Sequence, residues 1–316
     1  MTNHTLRASP ETVRIGVFNA TFSPVMTIES GDTVEVQCVS GRESVMPPAN
    51  APFTIPAELS AIIKANPGAT AGHIVTGPIA IAGAMPGDTL EIQIDKILPG
   101  ADWGYNLIRP LAGTLPEDFH DTTLMHIPVD TERLVCTMPW GTELQMAPFF
   151  GVMGVAPPPE FGTIASKEPR IHGGNLDNKE LTAGSTLFLP VWVPGANFSV
   201  GDGHGVQGDG EVCVTALETA LCGTFRLVLR KDLKFDLPRA ETSTHHITMG
   251  FNEDLDDAAK TALREMIALI GERLGLAPED AYMFCSLAVD MRVTQLVDGN
   301  KGIHAMLPKR YANQPN

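Results

Sequence analysis

The chain has 316 residues, of which 43% are hydrophobic, so it can bury a sizeable core and is not a disordered protein. Its formal net charge of −15 argues against a nucleic-acid backbone or an anionic membrane surface as partner. Five scattered cysteines without a CxxC pair do not form a disulfide framework. Residues 1–7 contain no apolar segment typical of a secretory leader, and no run of ~18 apolar residues is present, so we expect a cytoplasmic protein.

The first half of the chain predicts β structure. Residues 33–39 and 89–98 alternate polar and apolar side chains, and each segment follows a Gly-Asp turn. The 30 Gly and 25 Pro supply the frequent turns of antiparallel sheets. We expect an α+β fold that is mainly β, with sandwich or barrel lobes over 1–156 and 157–316. The two lobes could also form one intertwined domain.

Helices are expected only near the C-terminus. Apolar residues between 252 and 274 recur at helical spacing, aspartates occupy the first turn, and Gly275 follows as a C-cap. A second helix is expected over 278–287. The C-terminal lobe should therefore carry a helical pair.

The most distinctive stretch is the Gly-rich loop 201–211. It contains five glycines together with Asp202, His204, Asp209 and Glu211. Glycine lets the backbone approach a ligand closely, while carboxylates and imidazole bind divalent metals or move protons. Residues 212–218, which follow, predict a strand. A polar hairpin that binds nothing is the alternative.

Alternation along a strand would place Asp202 and His204 on one face, and Asp209 and Glu211 share the same spacing. Carboxylates that repel one another are stabilised by a cation. We therefore predict a divalent metal held by Asp202, His204 and Glu211, with Glu211 or Asp209 as general acid or base. Imidazole favours Zn²⁺, and Ca²⁺ is the alternative.

Other candidate residues lie outside this pattern. His73 precedes a Thr-Gly-Pro turn and is either a further metal ligand or structural. Asn175 and Asp177, after two glycines, are candidate catalytic residues that could bind substrate or fix a ligand; the alternative is an Asx turn.

Candidate substrate contacts are Gln207 in the loop and two aromatic residues. Phe149 and Trp103 would form an apolar cavity wall, or else belong to the core. Since the motif segments contain no Arg or Lys, we expect an uncharged substrate.

Four ordered segments, HIVTGP (73–78), GAMPGDTL (83–90), HGGNLD (172–177) and DGHGVQGDGE (202–211), resemble the acetamidase/formamidase family. The resemblance runs from about residue 31 to 308. It implies a metal-dependent hydrolase that cleaves the C–N bond of a small aliphatic amide, such as formamide or acetamide, to carboxylate and ammonia. The match to the family's His-x-x-Thr-Gly-Pro motif supports His73 as a ligand.

The resemblance and the apolar stretch 146–159 also favour a homo-oligomer. Two alternatives to the amidase remain at this level. One is a non-catalytic β scaffold whose loop binds a structural Ca²⁺. The other is a hydrolase of a related carbamoyl or guanidino C–N bond.

Overall fold

The computed structural model describes residues 1–68 and 72–312. The strands are β1 (Asn3–Leu6), β2 (Val13–Ile15), β3 (Val17–Asn19), β4 (Met26–Ile28), β5 (Thr33–Cys38), β6 (Ile74–Ile81), β7 (Thr89–Ile108), β8 (Thr123–Asp130), β9 (Val135–Thr137), β10 (Glu143–Gln145), β11 (Phe149–Gly154), β12 (Thr163–Ala165), β13 (Gly173–Asn175), β14 (Thr186–Pro190), β15 (Phe198–His204), β16 (Glu218–Arg230), β17 (Arg239–Glu241), β18 (His245–Asn252), β19 (Asp290–Gln295) and β20 (Lys301–Pro308). The helices are α1 (Ala57–Ala65), α2 (Leu255–Leu274), α3 (Pro278–Ala288) and α4 (Lys309–Ala312), with 3₁₀ turns at Glu43–Val45 and Pro159–Phe161.

Within residues 1–68 and 72–312, 18 strands join into one extended sheet, and β3 and β12 form a separate ribbon. Most pairings are antiparallel; β1 with β5 and β4 with β6 are parallel. The mainly β fold with C-terminal helices is thus confirmed. Strands from both predicted lobes pair, as β7 and β5 do with β16. The division at 156/157 stays a prediction.

The main core lies where strands of the large sheet face one another. Alternating residues of β5 and β7 are fully buried, as the period-two pattern predicts. Phe225 of β16 contacts both Phe150 and Phe198, with ring centroids 5.5 and 5.8 Å apart. Since the apolar stretch 149–156 is buried inside the protomer, it offers no exposed surface. The homo-oligomer stays a prediction.

Helix α2 packs against β18 and β20, with α3 beside it. Asp254 caps its N-terminus by accepting hydrogen bonds from the Asp256 and Asp257 amides, at 2.9 and 3.1 Å. Gly275 ends it with φ +68°. Both predicted helices are confirmed. No helix in the described part of the chain combines the length and apolar character needed to cross a bilayer.

One predicted strand is wrong. Residues 212–217 form turns, with Val214 at φ +80°. The Thr215 hydroxyl accepts a hydrogen bond from the Leu107 amide at 2.9 Å. This side-chain contact takes the place of the backbone hydrogen bond that a neighbouring strand would make. The extended chain resumes at Glu218. Conversely, the start of the Gly-rich stretch is the fully buried end of β15.

Candidate active site

A buried histidine lies at the centre of a carboxylate cluster. Asp202 and His204 project from one face of β15, and His204 Nε2 lies 3.1 Å from Asp202 Oδ2. Glu218, the first residue of β16, is paired in register with His204, and its Oε1 lies 3.2 Å from the same nitrogen. Each of the three residues is at most 7% exposed. The predicted proximity of Asp202 and His204 is confirmed.

Further carboxylates surround this centre. Glu211 Oε1 lies 4.0 Å from His204 Nε2, and Asp177 Oδ1 lies 3.9 Å from His204 Nδ1. His73 Nε2 approaches Asp202 Oδ2 at 3.7 Å. The cluster thus combines residues of β15 and β16 with His73 just before β6, Asp177 just after β13 and Glu211 in the loop between β15 and β16. Its members span more than 100 residues of the sequence.

Three of these carboxylates have left-handed backbones. Asp177, Asp202 and Glu211 have φ angles of 46°, 58° and 43°. Such conformations cost non-glycine residues about 1–3 kcal/mol each and occur where the surrounding structure imposes them. Their concentration here indicates that the fold aims these side chains inward at the expense of local stability.

Gly151 of β11 lies directly against the histidine–carboxylate cluster. A Cβ at this position would lie 2.5 Å from Asp202 Oδ2 and 2.6 Å from Asp177 Oδ1. It would also approach His204 Cε1 to 2.9 Å. Only glycine leaves room for this cluster to converge.

Gln207 fixes the orientation of the His204 imidazole. Its Nε2 donates to the Asp177 carbonyl oxygen at 2.8 Å, which fixes the orientation of the amide. Its Oε1 therefore faces His204 Nδ1 at 2.9 Å and accepts a hydrogen bond from it. Gln207 thus holds His204 in position.

Asn175 is fixed in a similar way. Its Nδ2 donates to Asp177 Oδ2 at 2.7 Å and to Asp298 Oδ2 at 3.1 Å. Its Oδ1 is buried without a hydrogen-bond partner. Because Asn175 also lines a cavity that opens onto the cluster, that oxygen is an acceptor available to a bound molecule.

Electrostatic strain accompanies this convergence. Burial raises the pKa of Asp177 well above its usual range, and the Glu211 carboxylate adds to the effect. Burial also raises the pKa of Glu211. For Asp202, the imidazoles of His73 and His204 outweigh burial and lower the pKa of the carboxyl. A cation would relieve the repulsion within the cluster.

The donor set fits a divalent metal. Asp202, His204 and Glu218 each present a ligand atom within 4.8 Å of the others, as do Asp177, His204 and Glu211. Burial lowers the pKa of His204, but its carboxylate neighbours outweigh that effect and raise it. A bound metal would take the place of the proton on His204 Nε2. That nitrogen has no well-aligned hydrogen-bond partner.

A cavity of about 320 Å³ opens onto the cluster. Its acidic floor is formed by Asp202, Glu211, Glu218 and Asp298, with His73 and Asn175 beside them. Polar groups that converge at one end of a concave site are typical of small-molecule binding.

Two predicted site residues, Asp209 and Trp103, lie elsewhere. Asp209 pairs with Lys179 at 3.0 Å on the other side of the loop, because the chain turns at Gly210 (φ +94°). Trp103 is buried in a separate core cluster and donates to the Thr54 carbonyl at 3.2 Å. Asp209 and Trp103 are thus absent from the cluster and from the cavity lining.

Phe149 lies behind the site. Its ring packs edge-on against His204, with centroids 5.0 Å apart and planes at 84°. This contact restricts the imidazole from the core side, away from the cavity. The expectation of aromatic cavity walls from Phe149 and Trp103 is corrected.

Two functional candidates were missed from the sequence. The sequence pattern predicts Glu218 as the last residue of a strand, whereas it begins β16 directly opposite His204. Asp298 lies in the turn after β19. A β-bridge between Gly210 and Gln295 holds the end of β19 against the Gly-rich loop. The Asp298-Gly299-Asn300 turn was visible in the sequence, but nothing local linked it to the site.

The chain resembles proteins of known class throughout its length. The profile of the Acetamidase/Formamidase family matches residues 18–168 and 162–310. The solved acetamidase from Bacillus halodurans is 31% identical with a TM-score of 0.83, over 97% of this chain and 98% of that chain. A predicted acetamidase/formamidase from Thermoanaerobacter tengcongensis is 25% identical with a TM-score of 0.85, over 98% and 97%.

Curated relatives include the formamidase of Methylophilus methylotrophus, 29% identical over 216 residues, which are 52% of this chain and 51% of that protein. Matches to the curated relatives span between 51% and 62% of those proteins' own lengths. Fold and site define a β-rich protein with a buried histidine–carboxylate centre that opens to a cavity. The chain belongs to the acetamidase/formamidase family.

Proposed function

We propose that the protein is a metal-dependent amidohydrolase that releases ammonia from a small aliphatic amide. The observation that carries the proposal is His204 Nε2, which is buried and lies within 3.2 Å of both Asp202 and Glu218, two carboxylates that line the cavity. Family membership supports amide C–N hydrolysis. The names of the relatives support a small amide as the substrate class.

Asp202, His204 and Glu218 would hold the metal, and His73 would supply a further ligand. The bound metal would supply a water of lowered pKa and polarise the carbonyl. Imidazole nitrogens together with two carboxylates suit Zn²⁺. A structural Ca²⁺ loop is less well supported, because Ca²⁺ prefers six to eight oxygen ligands.

Glu211 is proposed as the proton carrier. It lines the cavity beside the ligand set, so it can take a proton from the attacking water and deliver it to the leaving amine. Asn175 Oδ1 would accept an N–H of the substrate amide and orient its leaving group. Asp177 accepts a hydrogen bond from Asn175 and holds that side chain in place.

A screen for ammonia release tests the proposal. Purified protein, chelator-stripped protein and protein reloaded with Zn²⁺ would each be incubated with formamide, acetamide and propionamide. We expect turnover that is lost on stripping and restored by the metal. Turnover that survives complete stripping would remove the metal from the mechanism, and no turnover in any arm would contradict the amidase assignment.

A further inference from the structure

The cavity has a basic side that the Gly-rich motifs do not reveal. Arg42, Arg109 and Lys167 line it together with the acidic residues. They come from three separate segments, which follow β5, β7 and β12. None of these three cations lies in the motif segments from which an uncharged substrate is predicted.

Within the residues that the structure describes, two of these cations, Arg109 and Lys167, form no ion pair, although the charge of Lys167 opposes the rise that burial causes in the pKa of Asp298. Among residues 1–68 and 72–312, no carboxylate lies within ion-pair distance of Arg109 or Lys167. The Nε of Arg109 is buried and has no hydrogen-bond partner. A guanidinium nitrogen withdrawn from water without an acceptor is costly, so a ligand that supplies one gains affinity.

The cavity is also larger than the smallest amides need. Acetamide has four non-hydrogen atoms, whereas about 320 Å³ lies within the size range of sites for larger ligands. Its lining presents Asn175 and Glu211 as well as the cations Arg109 and Lys167. A ligand that satisfies both would carry an amide and an oxyanion on one short chain.

We infer that the preferred substrate is an amide whose acyl chain ends in a carboxylate, such as a monoamide of a short dicarboxylic acid. The guanidinium of Arg109 pairs with that carboxylate, a planar match that a neutral amide does not offer, and Lys167 adds a second charge. This inference rests on the proposed function, because the amide end is placed at the proposed metal centre. Locally, the basic lining opposes the protein's overall charge of −15.

Kinetics on matched substrates test this inference. Succinamate and glutaramate would be compared with their methyl esters, which keep the chain length but lose the charge. We expect kcat/KM to favour the acids by about tenfold or more. In Arg109→Gln and Lys167→Gln this preference should fall about tenfold, whereas Arg264→Gln on the exposed face of α2 should retain it. Preference for the esters, or an unchanged ratio in both cavity variants, would overturn the inference.

A binding measurement separates this inference from the proposed function. Glutarate lacks an amide, so calorimetric titration with glutarate reports the basic lining without any turnover. We expect wild-type protein to bind it and Arg109→Gln to bind at least about tenfold more weakly. If no amide is hydrolysed while this pattern holds, the amidase proposal fails and the anion site stands. If amides are hydrolysed and glutarate binds both proteins equally or neither, the anion site is wrong.

Discussion

Gln207 holds His204 through a 2.9 Å hydrogen bond from Nδ1 to its Oε1, which leaves Nε2 of the imidazole directed at Asp202 and Glu218. Partners that fix a ligating histidine are worth 10–100-fold in metal affinity or activity. The interaction is a property of one strand end and the loop after it. Substitution of Gln207 therefore tests the proposed metal centre directly.

Replacing Gln207 with Leu should weaken Zn²⁺ binding by about 10–100-fold, because the apolar side chain neither accepts from Nδ1 nor donates to the Asp177 carbonyl. Competition against a chromophoric chelator measures the affinity. Gln145→Leu, on exposed β10, serves as the matched control and should keep wild-type affinity. Equal affinity in the two variants would show that the Gln207 contact is incidental.

The Gly151→Ala variant tests the packing of the cluster. The new Cβ would overlap the carboxylates of Asp202 and Asp177, so the side chains must move apart and activity should fall by at least about 100-fold. Gly271→Ala is the control, since its Cβ would meet only Leu276 O at 3.5 Å. In a helix interior that change should stabilise the protein by roughly 0.5–1 kcal/mol. Assays of ammonia release and thermal unfolding on both variants decide the matter, and normal turnover in Gly151→Ala would contradict the site geometry.

The stability of the protein in acid depends on Glu241 and its partners His246 and Lys309, which lie outside the candidate site. A hydrogen bond from His246, with support from Lys309, lowers the pKa of Glu241 from 4.5 to about 2. A lowered folded-state pKa stabilises the protein above pH 4.5, and this contribution is lost as the pH falls toward 2. Glu241→Gln should therefore lower the free energy of unfolding at neutral pH and flatten its decline between pH 4.5 and 2.

Denaturant unfolding across that pH range measures the effect. The control is Glu117→Gln at an exposed loop position, for which we expect the wild-type pH profile. If Glu241→Gln reproduces the wild-type slope below pH 4.5, the His246 contact does not couple to folding.

The local part of the site could be predicted from the sequence. Asp202 and His204 alternate on one strand, so a period of two is enough to place them together. The helices α2 and α3 were equally local, since spacing and caps define them. Family resemblance added His73, which the structure places 3.7 Å from Asp202.

The rest depended on long-range pairing. Glu218 reaches His204 only because the turn over 212–217 reverses the chain, and that turn is stabilised by a contact from Thr215 to Leu107, more than 100 residues away. Asp209 was expected beside Glu211, but the turn at Gly210 sends the two side chains to different surroundings. The cavity lining by Arg109 and Lys167 follows from tertiary structure alone.

The central claim is that Asp202, His204 and Glu218 hold a metal, and the metal content of Glu218→Gln tests it most directly. Gln keeps the size of the side chain but removes the ligand charge, and Glu91→Gln, in an ion pair with Arg230 outside the site, is the matched control. After loading with Zn²⁺ and gel filtration, elemental analysis should find metal in wild type and Glu91→Gln, and a much smaller amount in Glu218→Gln, with unchanged circular dichroism. Equal metal content in all three proteins, or none in the wild type, would contradict the account.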